Sequence, residues 1–184
     1  MNNAYIQLPE NAVGMRGLMA FRPHLAPHLG AFTEGILGID EGLTKAEREL
    51  IGMMVSRWNE CSGCEGVHGG VAECYLQDDG TLTEHIKQDY RSAPISEKFK
   101  SLLTIAHSVQ QGGKNVTKEQ MEKAKSLGAS DIEIHDTVLI AATFCLFNRY
   151  LDGLNVWDSQ AYTPEMYRER GRMIAEGLGY APRH

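Results

Sequence analysis

An all-α fold is predicted by three features of this 184-residue sequence. Apolar residues recur at helical spacing. Ser and Thr repeatedly stand three residues before Glu or Gln, a helix-start signature. No Val/Ile/Thr-rich alternating run of useful length argues for strands.

After an irregular start, Pro23 and Pro27 punctuate a region in which Leu29, Phe32 and Ile36 follow with helical spacing. Pro27 suits a first turn, and this helix is expected to end near Gly38. The next starts at Thr44, where Thr44 and Glu47 form a capping-box pattern, and runs through Leu50, Ile51, Met54 and Val55 toward Trp58. Asn59 to Gly63 interrupt it. A further helix is expected from about Ser62 to Leu76, with Ser62 and Glu65 spaced as a second box. Later starts fall at Ser96, at Thr117 with Gln120, at Ser130 with Glu133, and at Thr163 before Pro164. The stretch from Ile132 to Leu151 is unusually apolar, so its helix should be buried on most sides, either as the central helix or in a subunit interface. The tail from Thr163 reads as one amphipathic helix including Met166, Arg170 and Met173, ended by Gly177 and Gly179. With no internal repeat or linker, a single domain is expected over 1–184, its core motif at 44–76 and its C-terminal helix at 163–178.

Eighteen basic and 24 acidic residues leave a net charge of -6 without blocks of like charge, which makes nucleic acid and anionic membrane surfaces poor partners. No apolar run reaches the roughly 18 residues that span a bilayer, and the opening MNNAYIQLPE has no leader pattern. A cytoplasmic protein is expected. In a reducing compartment a close cysteine pair points to redox or metal chemistry more than to a permanent crosslink.

The informative segment is Trp58-Asn59-Glu60-Cys61-Ser62-Gly63-Cys64-Glu65-Gly66-Val67-His68. Cys64 and His68 are four apart, on one helix face, where an imidazole can take the thiol proton and stabilise the thiolate nucleophile. A helix start near Ser62 adds free N–H groups and the macrodipole to the same effect. Cys61, three residues earlier, is placed to resolve an oxidised Cys64 as a disulfide. Zinc would need a fourth ligand, and Cys74 lies about 15 Å further along a helix, so a metal-free site is expected. Cysteines that merely fill core space are the bland alternative. A thioredoxin fold, the usual host of CxxC, needs βαβ patterns absent here.

These residues resemble the AhpD-like alkylhydroperoxidases, which are grouped with the carboxymuconolactone decarboxylases, and in particular their peroxidase-related branch. The resemblance runs from Arg22-Pro23 through Thr44-Lys45-Ala46-Glu47-Arg48-Glu49-Leu50-Ile51 and Val55-Ser56-Arg57-Trp58-Asn59-Glu60-Cys61 to Phe147-Asn148-Arg149-Tyr150-Leu151-Asp152-Gly153-Leu154. Its specific signal is CxxCxxxH with a glutamate twelve residues before the first cysteine. It implies a helical fold that assembles into homo-oligomers, and a centre made of Cys61, Cys64, His68 and Glu49, with Glu49 and His68 as proton relay. Some members carry a second histidine inside the CxxC where this chain has Gly63. In an unbroken helix Glu49 would lie about 18 Å from Cys61, so the chain must turn back near Asn59 to Gly63 for it to serve. Glu60 is the local alternative.

The expected activity is reduction of a small hydroperoxide, with a dithiol of lipoyl or thioredoxin type restoring the thiols. Cys64 is preferred as the activated thiol and Cys61 as its more exposed partner, although the order is reversible. A decarboxylase-like lyase working by acid–base chemistry and a non-enzymatic thiol–disulfide sensor are the alternatives. No flavin, haem or nucleotide motif is present, so no cofactor is expected. His24, His28, His85, His107 and His135 are scattered singly, Cys145 reads as core, and Asn148, Arg149 and Asp152 read as helix-end hydrogen bonding with an Arg–Asp pair.

Overall fold

A computed structural model describes residues 4–9, 13–156 and 162–180. Among the described residues there are nine α-helices: α1 Gly14–Phe21, α2 Ala26–Leu37, α3 Lys45–Trp58, α4 Ser62–Leu76, α5 Thr81–Asp89, α6 Glu97–Gln111, α7 Lys118–Ser126, α8 Asp131–Leu154 and α9 Pro164–Met173. Among the described residues there is no strand, only one isolated bridge between Glu41 and Leu43.

Local chemistry places most starts where side chains can satisfy the free N–H groups. The Thr44 hydroxyl accepts from the Glu47 N–H at 3.2 Å while the Glu47 carboxylate accepts from the Thr44 N–H at 2.9 Å. Thr117 with Gln120 and Ser130 with Glu133 repeat the box, and Ser96 and Thr163 cap α6 and α9. The box expected at Ser62 does not form. Cys61 is the N-cap of α4 and makes no side-chain cap bond, while Glu65 turns to Arg57 at 3.1 Å. The C-terminal helix changes character along its length: α9 runs to Met173 and a π-helical turn continues over Ile174–Leu178, with Gly177 at φ 123°.

The core is shared by α3, α6 and α8, through Leu50, Ile51, Leu102, Leu103 and Phe144. The apolar α8 buries Ile140, Ala141, Phe144 and Phe147, yet leaves Leu146 56% exposed. Arg48, 1% exposed, ties the α2–α3 connection to α8: it donates to the Ile36, Glu41 and Leu43 carbonyls and to Asp136 at 2.7 Å. Four acceptors around one guanidinium offset the desolvation of its charge. Against the outer side of α4 lies α9, at backbone distance. A Cβ on Gly66 would stand 2.6 Å from the Tyr167 ring, one on Gly70 would stand 2.7 Å from the Tyr167 carbonyl, and one on Gly171 would overlap the Gly70 backbone. No described helix is long and apolar enough to cross a membrane.

Candidate functional site

The α3–α4 turn decides the geometry. Asn59 ends α3, Glu60 takes a left-handed φ of 60°, and the Cys61 N–H donates back to the Ser56 carbonyl at 2.8 Å. The chain therefore reverses within three residues and α4 packs along α3. This turn carries Glu49 to His68, nineteen positions later, with Glu49 Oε2 and His68 Nδ1 2.7 Å apart and the Glu49 side chain 1% exposed. A carboxylate acceptor makes Nδ1–H the donor and leaves Nε2 as the ring nitrogen with no hydrogen-bond partner among the described residues. Glu60, the local alternative, is exposed.

A third member of this cluster comes from the far end of the chain. The Tyr180 hydroxyl donates to Glu49 Oε1 at 2.7 Å, lies 3.3 Å from His68 Nδ1, and its ring stacks on the imidazole with centroids 5.5 Å apart. Burial and the facing Glu49 carboxylate push the phenol well above its ordinary pKa, so it stays a donor. Phe144 meets the His68 ring edge-on at 4.5 Å. Sequence reasoning missed Tyr180. It stands near the end of a tail with no motif of its own, more than a hundred residues from its partners.

The two cysteines sit in opposite environments, and in the reverse of the expected order of exposure. Cys61 is 4% exposed and packs with Leu18, Leu151 and Val156, whereas Cys64 is half-buried and faces a cavity. The Cys64 thiol donates to Cys61, and the Cys64 backbone helps, holding the Cys61 thiol below its ordinary pKa against the opposing effect of burial. The same bond, reinforced by burial and by charge on Cys61, pushes Cys64 well up. The pair thus titrates as a unit, with Cys61 giving up its proton first. No hydrogen bond joins His68 and Cys64 among the described residues, and Glu49 and Tyr180 hold the imidazole at its Nδ1 side.

Beneath the thiols is a polar network the sequence reading assigned otherwise. Asn148, fully buried, accepts from Asn59 at 2.8 Å, donates to the Ser56 hydroxyl at 3.3 Å, and lowers the pKa of both cysteines by hydrogen bonding. Gln110 completes it with a 2.9 Å bond to Asn59. The expected Arg149–Asp152 pair is absent among the described residues. Burial raises the Asp152 pKa, and Asp152 acts against ionisation of both thiols. Cys145 is core, as expected.

Cys64 and His68 open onto one cavity of about 140 Å³, walled by Val67, Phe144, Phe147 and Tyr180 among others. Its largely apolar walls suit a small organic molecule over a bare ion. Among the described residues no group of three or more His, Cys, Asp or Glu side chains is arranged to hold a metal.

No protein-family model and no curated protein matches the chain. Solved structures do. An uncharacterized peroxidase-related protein from Ralstonia eutropha JMP134, described as an alkylhydroperoxidase AhpD core, superposes with a TM-score of 0.73 at 26% identity, over 85% of this chain and 79% of that one. An uncharacterized peroxidase-related protein from Silicibacter sp. TM1040 gives 0.69 at 25% identity, over 77% of this chain and 73% of that one. The all-helical architecture is thus similar to that of AhpD-like, peroxidase-related proteins.

Proposed function

We propose that this chain is a thiol-dependent hydroperoxide reductase whose centre is Cys61, Cys64, His68 and Glu49. The observation that carries the reading is the joint placement of Cys64 and the Glu49-held His68 on one largely apolar cavity, with the free Cys61 thiol hydrogen-bonded to Cys64.

Access selects Cys64 as the attacking sulfur, although Cys61 ionises more readily. The Cys64 proton passes across the cavity to Nε2 of the imidazole. The Cys64 thiolate then attacks the distal peroxide oxygen, the O–O bond breaks, and sulfur becomes a sulfenic acid. The departing alkoxide takes a proton from His68 and leaves as the alcohol. Cys61 attacks the sulfenic sulfur, expels water once the hydroxide is protonated, and closes a disulfide. An external dithiol reduces that disulfide and resets the pair. Glu49 and Tyr180 fix the tautomer and orientation of His68 throughout. The chain works as one domain in a reducing, cytosol-like compartment and associates into homo-oligomers, a reading supported by the exposed Leu146 on the otherwise apolar α8.

The test is dithiol-supported turnover of cumene hydroperoxide, with a thiol count before and after one equivalent of oxidant. Loss of two thiols per chain, with turnover abolished in Cys64→Ser and Cys61→Ser, is expected. Thiols left intact would refute the reading, and a separate acid–base activity surviving in Cys64→Ser would point instead to the lyase alternative.

A further inference from the structure

The cavity that carries Cys64 and His68 also carries two positive charges that the proposed chemistry does not use. Arg16, from α1, and Arg170, from α9, line it together with Met15, Val67 and Phe147. Among the described residues neither guanidinium makes a hydrogen bond or an ion pair, although the chain as a whole is acidic at a net charge of -6. Arg16 is exposed and Arg170 half-buried, whereas the buried Arg48 is surrounded by acceptors. Burial and the neighbouring Arg16 both work against the Arg170 cation and lower its pKa, yet arginine stays charged at any working pH. A half-buried Arg170 beside a second positive charge, with no carboxylate paired to either among the described residues, is costly, and an anion entering the cavity relieves it.

The spacing sets the size of that anion. Arg170 precedes Gly171, which crosses α4 at Gly70, and Gly70 lies six residues, about 9 Å of helix, beyond Cys64. A long chain does not fit between those limits in a cavity of about 140 Å³.

From this juxtaposition of an unpaired arginine pair, an apolar wall and a cavity-facing thiol, we infer that the substrate is a compact apolar hydroperoxide bearing a carboxylate, with Arg16 and Arg170 as its carboxylate subsite. The inference rests on the hydroperoxidase reading for the reacting end and on the arginine pair for the other. Arg170 supplies the planar fork that matches a carboxylate, and Arg16, close enough to act on the Arg170 cation, adds a second positive charge on the same cavity.

The experiment compares cumene hydroperoxide carrying a para-carboxylate with its methyl ester, in wild type, in Arg170→Gln and in the Arg16→Gln, Arg170→Gln double variant. Wild type is expected to prefer the acid in kcat/KM by about ten- to a hundred-fold, the worth of a charge-assisted carboxylate bond, and the acid-to-ester ratio is expected to fall toward one in the double variant. Arg170→Lys, which keeps the charge and loses the fork, should retain part of the preference. Binding of the two matching tertiary alcohols, followed by calorimetry, gives a readout independent of turnover. Equal kcat/KM for acid and ester in wild type overturns the carboxylate subsite even if both peroxides are reduced. Arginine-dependent binding of the hydroxy acid in a protein that reduces neither peroxide upholds the subsite and overturns the hydroperoxidase reading. Should the variants fail to fold, the wild-type ratio alone still decides.

Discussion

Replacing Tyr180 by Phe tests whether the tail is held to the Glu49–His68 pair by one hydroxyl. The ring and its stacking on His68 are retained, and only the 2.7 Å bond to Glu49 Oε1 is removed. Glu49 is 1% exposed and its other oxygen is taken by His68, so the freed Oε1 has no solvent to turn to. A hydrogen bond to a charged group is worth about 1.5–3 kcal/mol net. In a chain of this length each kcal/mol moves Tm by roughly 2–4 °C, which makes the expected drop about 3–12 °C. Thermal unfolding followed by circular dichroism measures it, at matched protein concentration so that association does not contribute. A double-mutant cycle with Glu49→Gln isolates the pair, because Tyr180→Phe should cost much less once the carboxylate is gone. A midpoint within about 1 °C of wild type would refute the reasoning, since water would then be solvating Glu49 in place of Tyr180.

Three further predictions concern other contacts. Cys64→Ala removes the donor that favours the Cys61 thiolate, so the first step in the thiolate absorbance titration should move to higher pH, whereas Cys64→Ser, which keeps a hydroxyl donor, should move it less; coincident curves for the two variants would exclude the bond as the cause. Burial raises the Glu133 carboxyl, but the Lys98 ammonium at 2.5 Å and the Ser130 N–H at 2.7 Å outweigh it, so its folded pKa lies below the ordinary value. Its stabilisation is therefore present above the unfolded pKa and lost as pH falls through the folded one, and Glu133→Gln should cost about 1–2 kcal/mol in neutral denaturant melts and progressively less in acid. Gly171→Ala would drive a Cβ into the Gly70 backbone and should destabilise by about 1–3 kcal/mol while lowering turnover, measured by urea melts alongside peroxide reduction; a neutral result would show that α9 slides freely.

How far the sequence could be read follows from where each signal is stored. Starts carried by a hydroxyl and a partner three residues on, at Thr44, Thr117 and Ser130, were legible because the cap is local. Helix α1 was not: Gly14 and Gly17 are poor helix formers and its N-cap Val13 makes no side-chain bond. Helix α5 starts at Gly80 with φ 100°, and its capping is done from outside by Asp78 and Asp79, which accept from Gly80, Thr81 and Leu82. At Ser62 the pattern misled, since Cys61 already occupies the N-cap and Glu65 has a better partner in Arg57. The CxxCxxxH spacing located the candidate centre, but the meeting of Glu49 with His68 depends on a positive φ at Glu60 that no periodicity encodes. Family resemblance suggested that partnership where spacing could not. Tyr180, Asn148 and the arginine pair were out of reach, because each joins the site through tertiary contacts alone.

The glycine seam between α4 and α9 has a consequence for how such a cavity can change. Side-chain packing normally lets the gap between two helices widen or narrow by small increments, as one methyl replaces another. Here Gly66, Gly70 and Gly171 put backbone against backbone or ring, so the wall bearing Arg170 has only one available distance from the wall bearing Cys64. Selection for a larger or smaller ligand is thereby confined to the remaining walls, at Met15 and Met19 on α1 and Phe147 on α8. Methionine is the side chain that reshapes most easily, so the adjustable part of the site lies on α1, where Met15 packs into the same cluster as Cys61 and Cys64 and any redesign of the pocket reaches the thiols as well.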